Sequence, residues 1–387
     1  MNKGLTSFRA FAFLAVFLFH AGVFRAGYLG VQAFFVLSGF LLTPILVDMK
    51  ESLEKREYYT KFFARRFLRI FPLYYLYLMV VSLACLYVTQ SGNFSEEVLQ
   101  STSKFLDQTS WAYSYTYNIF HASSMYEHSD LVSHFWSLAV EEQFYTFWPF
   151  VIALVRTKHL KILLILACVL GPFLRLGIST LASDPDQFLF FHQIDTVVYV
   201  LPFSHMDAFA TGGLFALFVE SRSKRSTWFA IGLTIGIGFT SEFLLRGTFG
   251  NLQSLGFPEF MREKYIWGYS ILNLLFAFLL VQIRDRKFLP LIFEHPLLNY
   301  LGTISYGLYV FHFPLLWLVP LMAPSLSDVA AKTLALALTI AISSLSFHYL
   351  ENYFISLKDK IFPKESSHPS RESDPETIQQ PKSNQHT

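Results

Sequence analysis

The sequence is poor in charge and in cysteine. Only 15% of its 387 residues are charged, whereas a soluble protein carries about 25%. More than half of the chain, 53%, is hydrophobic, and the mean hydropathy is +0.40. These values exclude an ordinary soluble domain and indicate a polytopic protein of the lipid bilayer. The net charge of only +2 gives no indication of nucleic-acid binding.

Signatures of metal and hydrolase chemistry are also missing. The two cysteines, Cys85 and Cys168, lie in separate apolar runs without metal-ligand spacing. No two histidines are three or four residues apart within such a run. The sequence has no H-E-x-x-H, no glycine-rich phosphate loop and no G-x-S-x-G. We therefore expect neither a metal nor a bound cofactor.

Apolar runs near 20 residues, the length that crosses a bilayer, predict ten transmembrane helices and an all-α fold. The predicted spans are 5–24, 29–47, 69–89, 138–155, 160–178, 200–220, 227–245, 265–283, 298–319 and 328–354. An even number of spans leaves both termini on one side. The segments on that side hold 23 of the 30 Lys and Arg residues, which predicts that both termini are cytoplasmic.

We assign residues 1–360 to one transmembrane domain and residues 361–387, rich in Ser, Pro, Glu and Gln, to a disordered cytoplasmic tail. The N-terminus does not resemble a cleaved signal peptide, because Arg9 interrupts the apolar run and a second span follows at once. In the longest far-side loop, the sequence WAYSYTYN at 111–118 alternates aromatic and small residues. If extended, it would present an aromatic face, either as an interfacial belt or as a platform for a sugar ring.

Two ionisable residues stand inside the first span. Arg9 and His20 are eleven residues apart, which puts them on one helix face, about 16 Å apart along the axis. An ionisable side chain within a span costs several kcal/mol unless it faces protein or water. Arg9 and His20 are therefore candidates for a functional site, with Arg9 near one membrane surface and His20 deeper.

Further polar residues lie at the ends of other spans. Arg65, Arg66 and Arg69 lie at the mouth of the third span, where they either bind phosphate or set topology and contact anionic lipid. Arg65 and Arg69 share a face, as do Arg66 and Arg69. Glu141 and Glu142 enter the fourth span, and their 100° separation lets at most one share the face of Ser137. Each needs a partner, either within the site or in a structural ion pair.

Two later spans also carry polar groups. His205 and Asp207 precede Gly212 and Gly213, a pair that permits close helix approach. His312 lies two residues before Pro314, where a kink would free backbone carbonyls to line a cavity.

Taken in order, these segments resemble the acyltransferase-3 family of polytopic membrane acyltransferases. Five pieces carry the resemblance: Arg9 with His20, GYLGVQAFFVLSGFLLT at 27–43, FFARRFLRIFPLYY at 62–75, HFWSLAVEEQFYTFWP at 134–149 and SYGLYVFHFP at 305–314. One departure is His205, where many members carry arginine, which leaves an ionic role at this position in doubt.

The resemblance implies transfer of an acyl group, commonly acetyl from acetyl-CoA, to a hydroxyl of an extracytoplasmic glycan such as lipopolysaccharide O-antigen or peptidoglycan. The expected location is the bacterial inner membrane. Some relatives carry a periplasmic esterase-like domain, so this chain is expected to work alone or with a separate periplasmic partner. The implied base is His20, oriented by Glu141 or Asp207, through direct transfer or an acyl-histidine.

The same resemblance suggests roles for the remaining polar residues. Arg65, Arg66 and Arg69 are expected to grip the phosphates of CoA, and Arg9 to hold CoA or polarise the carbonyl. Substrate binding is assigned to Trp136, Ser137, Glu142, Tyr145 and His312. Two other classes stay open: a proton-coupled transporter or flippase, and a different or non-catalytic relative. A transporter typically has inverted repeats or paired broken helices, and the sequence shows neither.

Overall fold

A computed structural model of the chain describes residues 2–181, 194–248, 252–257 and 264–362. The regular elements in these ranges are helices, which confirms the all-α class. They are α1 Lys3–His20, α2 Leu29–Ser52, α3 Lys55–Ser91, α4 Glu96–Tyr113, α5 Tyr117–Ala122, α6 Phe135–Leu154, α7 Thr157–Leu181, α8 Ile194–Val200, α9 Met206–Phe218, α10 Lys224–Arg246, α11 Tyr269–Arg284, α12 Pro290–Phe293, α13 Pro296–Thr303, α14 Ser305–Met322, α15 Asp328–Ser346 and α16 Asn352–Ile361. The tail predicted to be disordered lies outside the described residues from position 363 onwards.

Seven helical segments among the described residues are long and apolar enough to cross a membrane, so the chain is an integral membrane protein by these criteria. They are Arg25–Ser52, Lys55–Ser91, Thr157–Leu181, Lys224–Arg246, Ile266–Arg284, Ser305–Met322 and Asp328–Lys358. The count of ten stays a prediction. Its other three spans fall on α1, α6 and α9, which are helical but more polar or shorter.

The length or the polar residues of these three helices explain why they do not meet the criteria for crossing a membrane. Helix α1 includes Arg9 and His20, and α6 includes Glu141 and Glu142, so polar residues reduce the mean hydropathy of both helices. Helix α9 has only 13 residues because a 3₁₀ turn, Pro202–His205, occupies the start of the predicted span. The residues that interrupt the apolar pattern in α1 and α6 are the same residues that we nominated for function.

Helix α2 is the centre of the bundle, and α10 is at its periphery. In its most apolar window 67% of the α2 residues are buried, against 17% for α10. Large apolar side chains on the outer helix, such as Phe229 and Leu244, are exposed in the absence of lipid. A helix with an exposed apolar surface of this kind suits contact with acyl chains.

Close packing of α2 against α9 depends on glycine. A Cβ at Gly39 would lie 1.9 Å from the carbonyl oxygen of Phe209, and a Cβ at Gly212 would lie 2.0 Å from that of Val36. No side chain fits at either position unless the helices move apart. The close approach predicted at Gly212 and Gly213 is therefore confirmed, and its partner surface is α2.

The aromatic segment at 111–118 is not extended, so this expectation was wrong. It comprises the end of α4, a turn and the start of α5. Tyr115 is buried, and its ring stacks on Tyr74 at a centroid distance of 4.1 Å. Tyr117 is also buried and donates a hydrogen bond to Gln108 at 2.6 Å. These two rings are part of the core and do not form an accessible surface on which a sugar ring could stack.

Candidate active site

A cavity of about 120 Å³ lies where α1, α2, α3, α6 and α14 meet. Charged and hydroxyl-bearing side chains line one part of its wall, and apolar side chains of α2 line another. The polar lining residues are Arg9, Ser38, Arg66, Arg69, Ser137, Glu141, Glu142, Tyr145, Ser305, Tyr306 and Tyr309. Six of the residues that the sequence nominated are thus brought together with Arg9: Arg66, Arg69, Ser137, Glu141, Glu142 and Tyr145.

Three guanidinium groups face this cavity. Arg9 comes from α1 and lies within electrostatic range of Arg66 and Arg69 on α3. Arg66 also lies over the ring of Tyr145, 5.2 Å from its centroid. The cavity therefore collects positive charge from two helices that are distant in sequence.

Arg65 points elsewhere, which corrects the expectation that it belongs to the same cluster. Its guanidinium donates a hydrogen bond to the backbone carbonyl of Phe362, beyond the end of α16. Of the two pairs that the spacing allowed, the i, i+3 pair of Arg66 and Arg69 lines the cavity, and the i, i+4 pair of Arg65 and Arg69 does not.

The two glutamates have different surroundings, although both line the cavity. The hydroxyls of Ser38 and Tyr145 both donate to one carboxylate oxygen of Glu141. Glu142 has a buried carboxyl oxygen, Oε1, without a hydrogen-bond partner among the described residues. Sharing the helix face of Ser137 is not needed for access, because Glu141 and Glu142 both line the cavity.

The charge of the lining is positive overall. Three arginines face two carboxylates, so the cavity has an excess of positive charge when these groups are ionised. Guanidinium groups bind phosphate and carboxylate through paired hydrogen bonds, which makes arginine well suited to anionic ligands. The cavity is therefore suited to an anion that carries apolar parts, which the side chains of α2 can contact.

His20 lies outside this cavity, at the C-terminal end of α1. Its Nδ1 is 2.9 Å from Nε2 of His312 on α14, and its ring also meets the edge of Phe313. Neither Glu141 nor Asp207 bonds His20 in the described structure, because each carboxylate is held by other side chains. The expectation that a carboxylate orients His20 is thus replaced by a contact between two imidazoles.

Tyr309 lines the arginine-lined cavity and also contacts the histidine pair. The hydroxyls of Ser137 and Tyr309 are 2.5 Å apart and form the cavity wall. Tyr309 also accepts a hydrogen bond at its backbone carbonyl from Nδ1 of His312, at 2.7 Å. One residue of α14 therefore contacts the cavity through its side chain and the histidine pair through its backbone.

His134 is a third buried imidazole beside this pair, and our sequence reasoning assigned it no role. Its Nε2 donates to the carbonyl of Val310 at 3.2 Å, and its ring meets the edge of His312. Val310 is four residues before Pro314, which has no N–H to bond that carbonyl. The prediction of a freed carbonyl at the proline is confirmed, but Val310 does not line the cavity and its carbonyl is bonded by His134. The same signal could have drawn attention to a donor such as His134.

Asp207 does not line the cavity and forms a buried ion pair instead. Arg175 of α7 donates to both of its oxygens, at 2.8 and 2.9 Å, and Ser270 donates to one of them at 2.7 Å. The side chains of this ion pair are 0% and 1% exposed. The network joins α7, α9 and α11, and we therefore replace the catalytic role expected for Asp207 with one in packing.

His205 and Trp136 belong to the same buried region. Nε2 of His205 donates to the carbonyl of Tyr199 at 2.7 Å, and Nδ1 bonds the side-chain amide of Gln32 at 2.9 Å. The amide atom of Gln32 beside Nδ1 is the oxygen, and its N–H donates to Oδ1 of Asn273 at 2.7 Å. Trp136 is buried against Tyr199 at 4.6 Å and does not line the cavity, and fully buried His312 does not line it either. The substrate-binding roles expected for Trp136 and His312 stay predictions, and they do not involve the wall of this cavity.

Four polar cavity residues were missed by sequence reasoning: Ser38, Ser305, Tyr306 and Tyr309. Each lies within a segment that we had singled out, at 27–43 and at 305–314, but nothing in a helical pattern says which hydroxyl faces a cavity. Among the described residues, no group of three or more His, Cys, Asp or Glu side chains is placed to hold a metal ion.

The described residues form an all-helical membrane domain with an arginine- and glutamate-lined cavity. The chain belongs to the acyltransferase-3 family, since the family model, described as an acyltransferase domain, matches residues 2–348. A comparison with solved structures finds no significant match.

Curated relatives include O-acetyltransferases of Listeria monocytogenes and Staphylococcus aureus. The chain is 28% identical over 395 residues to the peptidoglycan O-acetyltransferase OatA of Listeria monocytogenes, covering 91% of this chain and 57% of the relative. It is 26% identical over 365 residues to the O-acetyltransferase OatA of Staphylococcus aureus, covering 90% and 56%. A putative O-acetyltransferase of Staphylococcus aureus is 27% identical over 363 residues, with 91% and 57% covered. The chain spans little more than half the length of these relatives.

Proposed function

We propose that the protein is an O-acyltransferase of the bacterial inner membrane that moves an acyl group, most simply acetyl, from cytoplasmic acyl-CoA to a hydroxyl of an extracytoplasmic glycan. The family supports acyl transfer, and a relative named for peptidoglycan supports a cell-wall glycan as the acceptor class. The donor, the sidedness and the site residues are our proposals.

The observation that carries the proposal is the arginine cavity. It combines Arg9, Arg66 and Arg69 with apolar side chains of α2 in one space. Acyl-CoA has the matching chemistry, because its phosphates are anionic and its pantetheine arm and acyl group are weakly polar. In this proposal the guanidiniums bind phosphate oxygens, and the thioester end lies toward Ser137 and Tyr309.

The proposed reaction uses His20 as general base. The acceptor hydroxyl loses its proton to the imidazole while its oxygen attacks the thioester carbonyl carbon. The tetrahedral intermediate then expels the CoA thiolate, which takes the proton from the imidazolium. Histidine suits both transfers because its ordinary pKa is close to neutrality.

In this proposal the hydrogen bond between Ser137 and Tyr309 opens, since both residues line the cavity and Tyr309 also contacts His312 through its backbone. The pantetheine arm would displace it when the donor binds, in which case the donor itself creates the route to His20. A variant of the scheme places the acyl group on His20 before it reaches the glycan.

The test is an assay of purified protein in detergent with radiolabelled acetyl-CoA and a soluble fragment of a cell-wall glycan. We expect label on the glycan with the wild type and a loss of at least about a hundredfold with His20→Ala, the range for removing a general base. Unchanged transfer by His20→Ala would refute the role of His20. Failure of every acyl donor, together with substrate counterflow in vesicles, would refute the enzyme and support a transporter. Label that stays on the protein would identify the acyl-enzyme variant.

A further inference from the structure

We infer that His312 is a positioning residue, which holds His20 as the tautomer with a proton on Nδ1 and leaves Nε2 as the base. The inference rests on the proposed function, in which His20 accepts the proton of the acceptor hydroxyl. It concerns a different property of the site, namely which of the two ring nitrogens of His20 is free to accept that proton.

The backbone of α14 fixes the tautomer of His312. Nδ1 of His312 is 2.7 Å from the carbonyl oxygen of Tyr309, one turn earlier in the same helix. A carbonyl oxygen can only accept, so Nδ1 of His312 carries the proton. In a neutral imidazole the other nitrogen is then an acceptor. Nε2 of His312 therefore has a lone pair to offer.

That lone pair faces His20. Nε2 of His312 is 2.9 Å from Nδ1 of His20, a distance within the hydrogen-bond range. The ring planes differ by only 19°, and the ring centroids are 5.1 Å apart. A centroid distance so much longer than the nitrogen–nitrogen distance means that the rings meet edge to edge, nearly in one plane, and do not overlap face to face. This is the geometry of a hydrogen bond in which Nδ1–H of His20 donates.

The consequence is a fixed tautomer of His20. Because Nδ1 donates, Nε2 carries the lone pair and is the nitrogen able to accept a proton. When it does so, His20 becomes a cation, and its Nδ1–H forms a stronger, charge-assisted bond to His312. His312 thus stabilises the protonated base without touching the substrate.

The surroundings keep His312 in place for this role. Its ring is 0% exposed, with edge contacts to Phe13 at 5.6 Å and to His134 at 5.2 Å between centroids. His20, in contrast, is only partly buried, at the end of α1. The orienting ring is therefore rigid, and the base is the more accessible of the two.

The loop of residues 123–134 lies at the same end of α1. His128 in this loop contacts the edge of Phe313, which also packs on His20. His128 bonds Asp130 at 3.4 Å, and this contact lowers the pKa of the Asp130 carboxyl below its ordinary value. Asp130 is engaged with His128, and the observed partner for Nδ1 of His20 is His312.

The experiment compares two replacements of nearly equal shape. In His312→Gln the amide oxygen can still accept from His20, whereas His312→Met removes the strong acceptor. We expect His312→Met to lower kcat about tenfold or more with little change in KM for acetyl-CoA, and His312→Gln to recover most of kcat. Thermal unfolding of both purified variants checks that they are folded.

A second measurement does not require activity. Nitrogen NMR of ¹⁵N-histidine-labelled protein in bilayers, assigned with His20→Asn, reports which nitrogen of His20 is protonated. We expect Nδ1–H in the wild type and in His312→Gln, and a shift toward Nε2–H in His312→Met. Equal kcat for the Gln and Met variants, or Nε2–H in the wild type, would overturn the inference. Wild-type protein that transfers no acyl group would overturn the proposed function instead, and the NMR result would still decide the tautomer.

Discussion

Arg65, Arg66 and Arg69 are close neighbours on α3, but replacing them is expected to have different effects on donor binding. Arg66 and Arg69 line the cavity, and Arg65 bonds the carbonyl of Phe362 instead. We expect Arg66→Ala and Arg69→Ala each to weaken binding of acetyl-CoA, and Arg65→Ala to leave it nearly unchanged. Arg65 is therefore a control of the same residue type on the same helix.

The magnitude follows from the bonds that are lost. A hydrogen bond to a charged group contributes about 1.5–3 kcal/mol, and about 1.4 kcal/mol is a factor of ten in affinity. Each cavity variant should thus raise KM for acetyl-CoA roughly ten- to a hundredfold. The loss of binding free energy in the double variant should not exceed the sum of the two single losses, because both arginines contact the same ligand.

The assay that isolates phosphate binding compares two donors. Acetyl-pantetheine has the thioester arm of acetyl-CoA but lacks the nucleotide phosphates. We expect wild type and Arg65→Ala to prefer acetyl-CoA strongly, and Arg66→Ala and Arg69→Ala to lose most of that preference. If all three variants kept the preference, or if Arg65→Ala lost as much as the others, the assignment of Arg66 and Arg69 to the phosphates would be refuted.

Two further predictions concern stability, measured by thermal or denaturant unfolding in detergent. Gly39→Ala should destabilise the protein by about 3 kcal/mol or more because its Cβ would clash with the backbone of α9. As a control, Gly232→Ala on exposed α10, with no atom within 4 Å of the new Cβ, should increase the stability by up to about 1 kcal/mol. Equal effects of the two substitutions would contradict the packing described. Asp207→Leu alone should cost about 3–5 kcal/mol by leaving Arg175 as an unpaired buried charge. The double variant with Arg175→Met should be more stable than Asp207→Leu, and a double variant that is less stable would argue for a functional ion pair.

Sequence patterns were sufficient for local features of this molecule. Helical periodicity and apolar run length placed the helices, and Pro314 identified a freed carbonyl without knowledge of the fold. The spacing of Arg66 and Arg69 correctly allowed a shared face. These features depend on residues within one or two turns of a helix, where geometry follows directly from position in the chain.

Contacts between helices could not be read in the same way. His20 and His312 are 292 positions apart, and their hydrogen bond depends on how α1 packs against α14. Arg175 was not nominated as the partner of Asp207, because several arginines were available and only packing decides among them. The orientation of α6 about its own axis, which also depends on packing, brings both Glu141 and Glu142 to the cavity. Sequence reasoning therefore found which residues were costly in a membrane, but assigned several of them to the wrong partners.

The central claim is that donor and acceptor meet from opposite sides of the membrane. Its most direct measurement uses proteoliposomes with the protein in one known orientation, labelled acetyl-CoA on the side of the termini and a glycan fragment sealed on the other side. We predict label on the sealed glycan with wild-type protein, none with His20→Ala, and none when labelled acetyl-CoA is supplied only on the glycan's side. Labelling of glycan only when both substrates are on the same side would contradict the account.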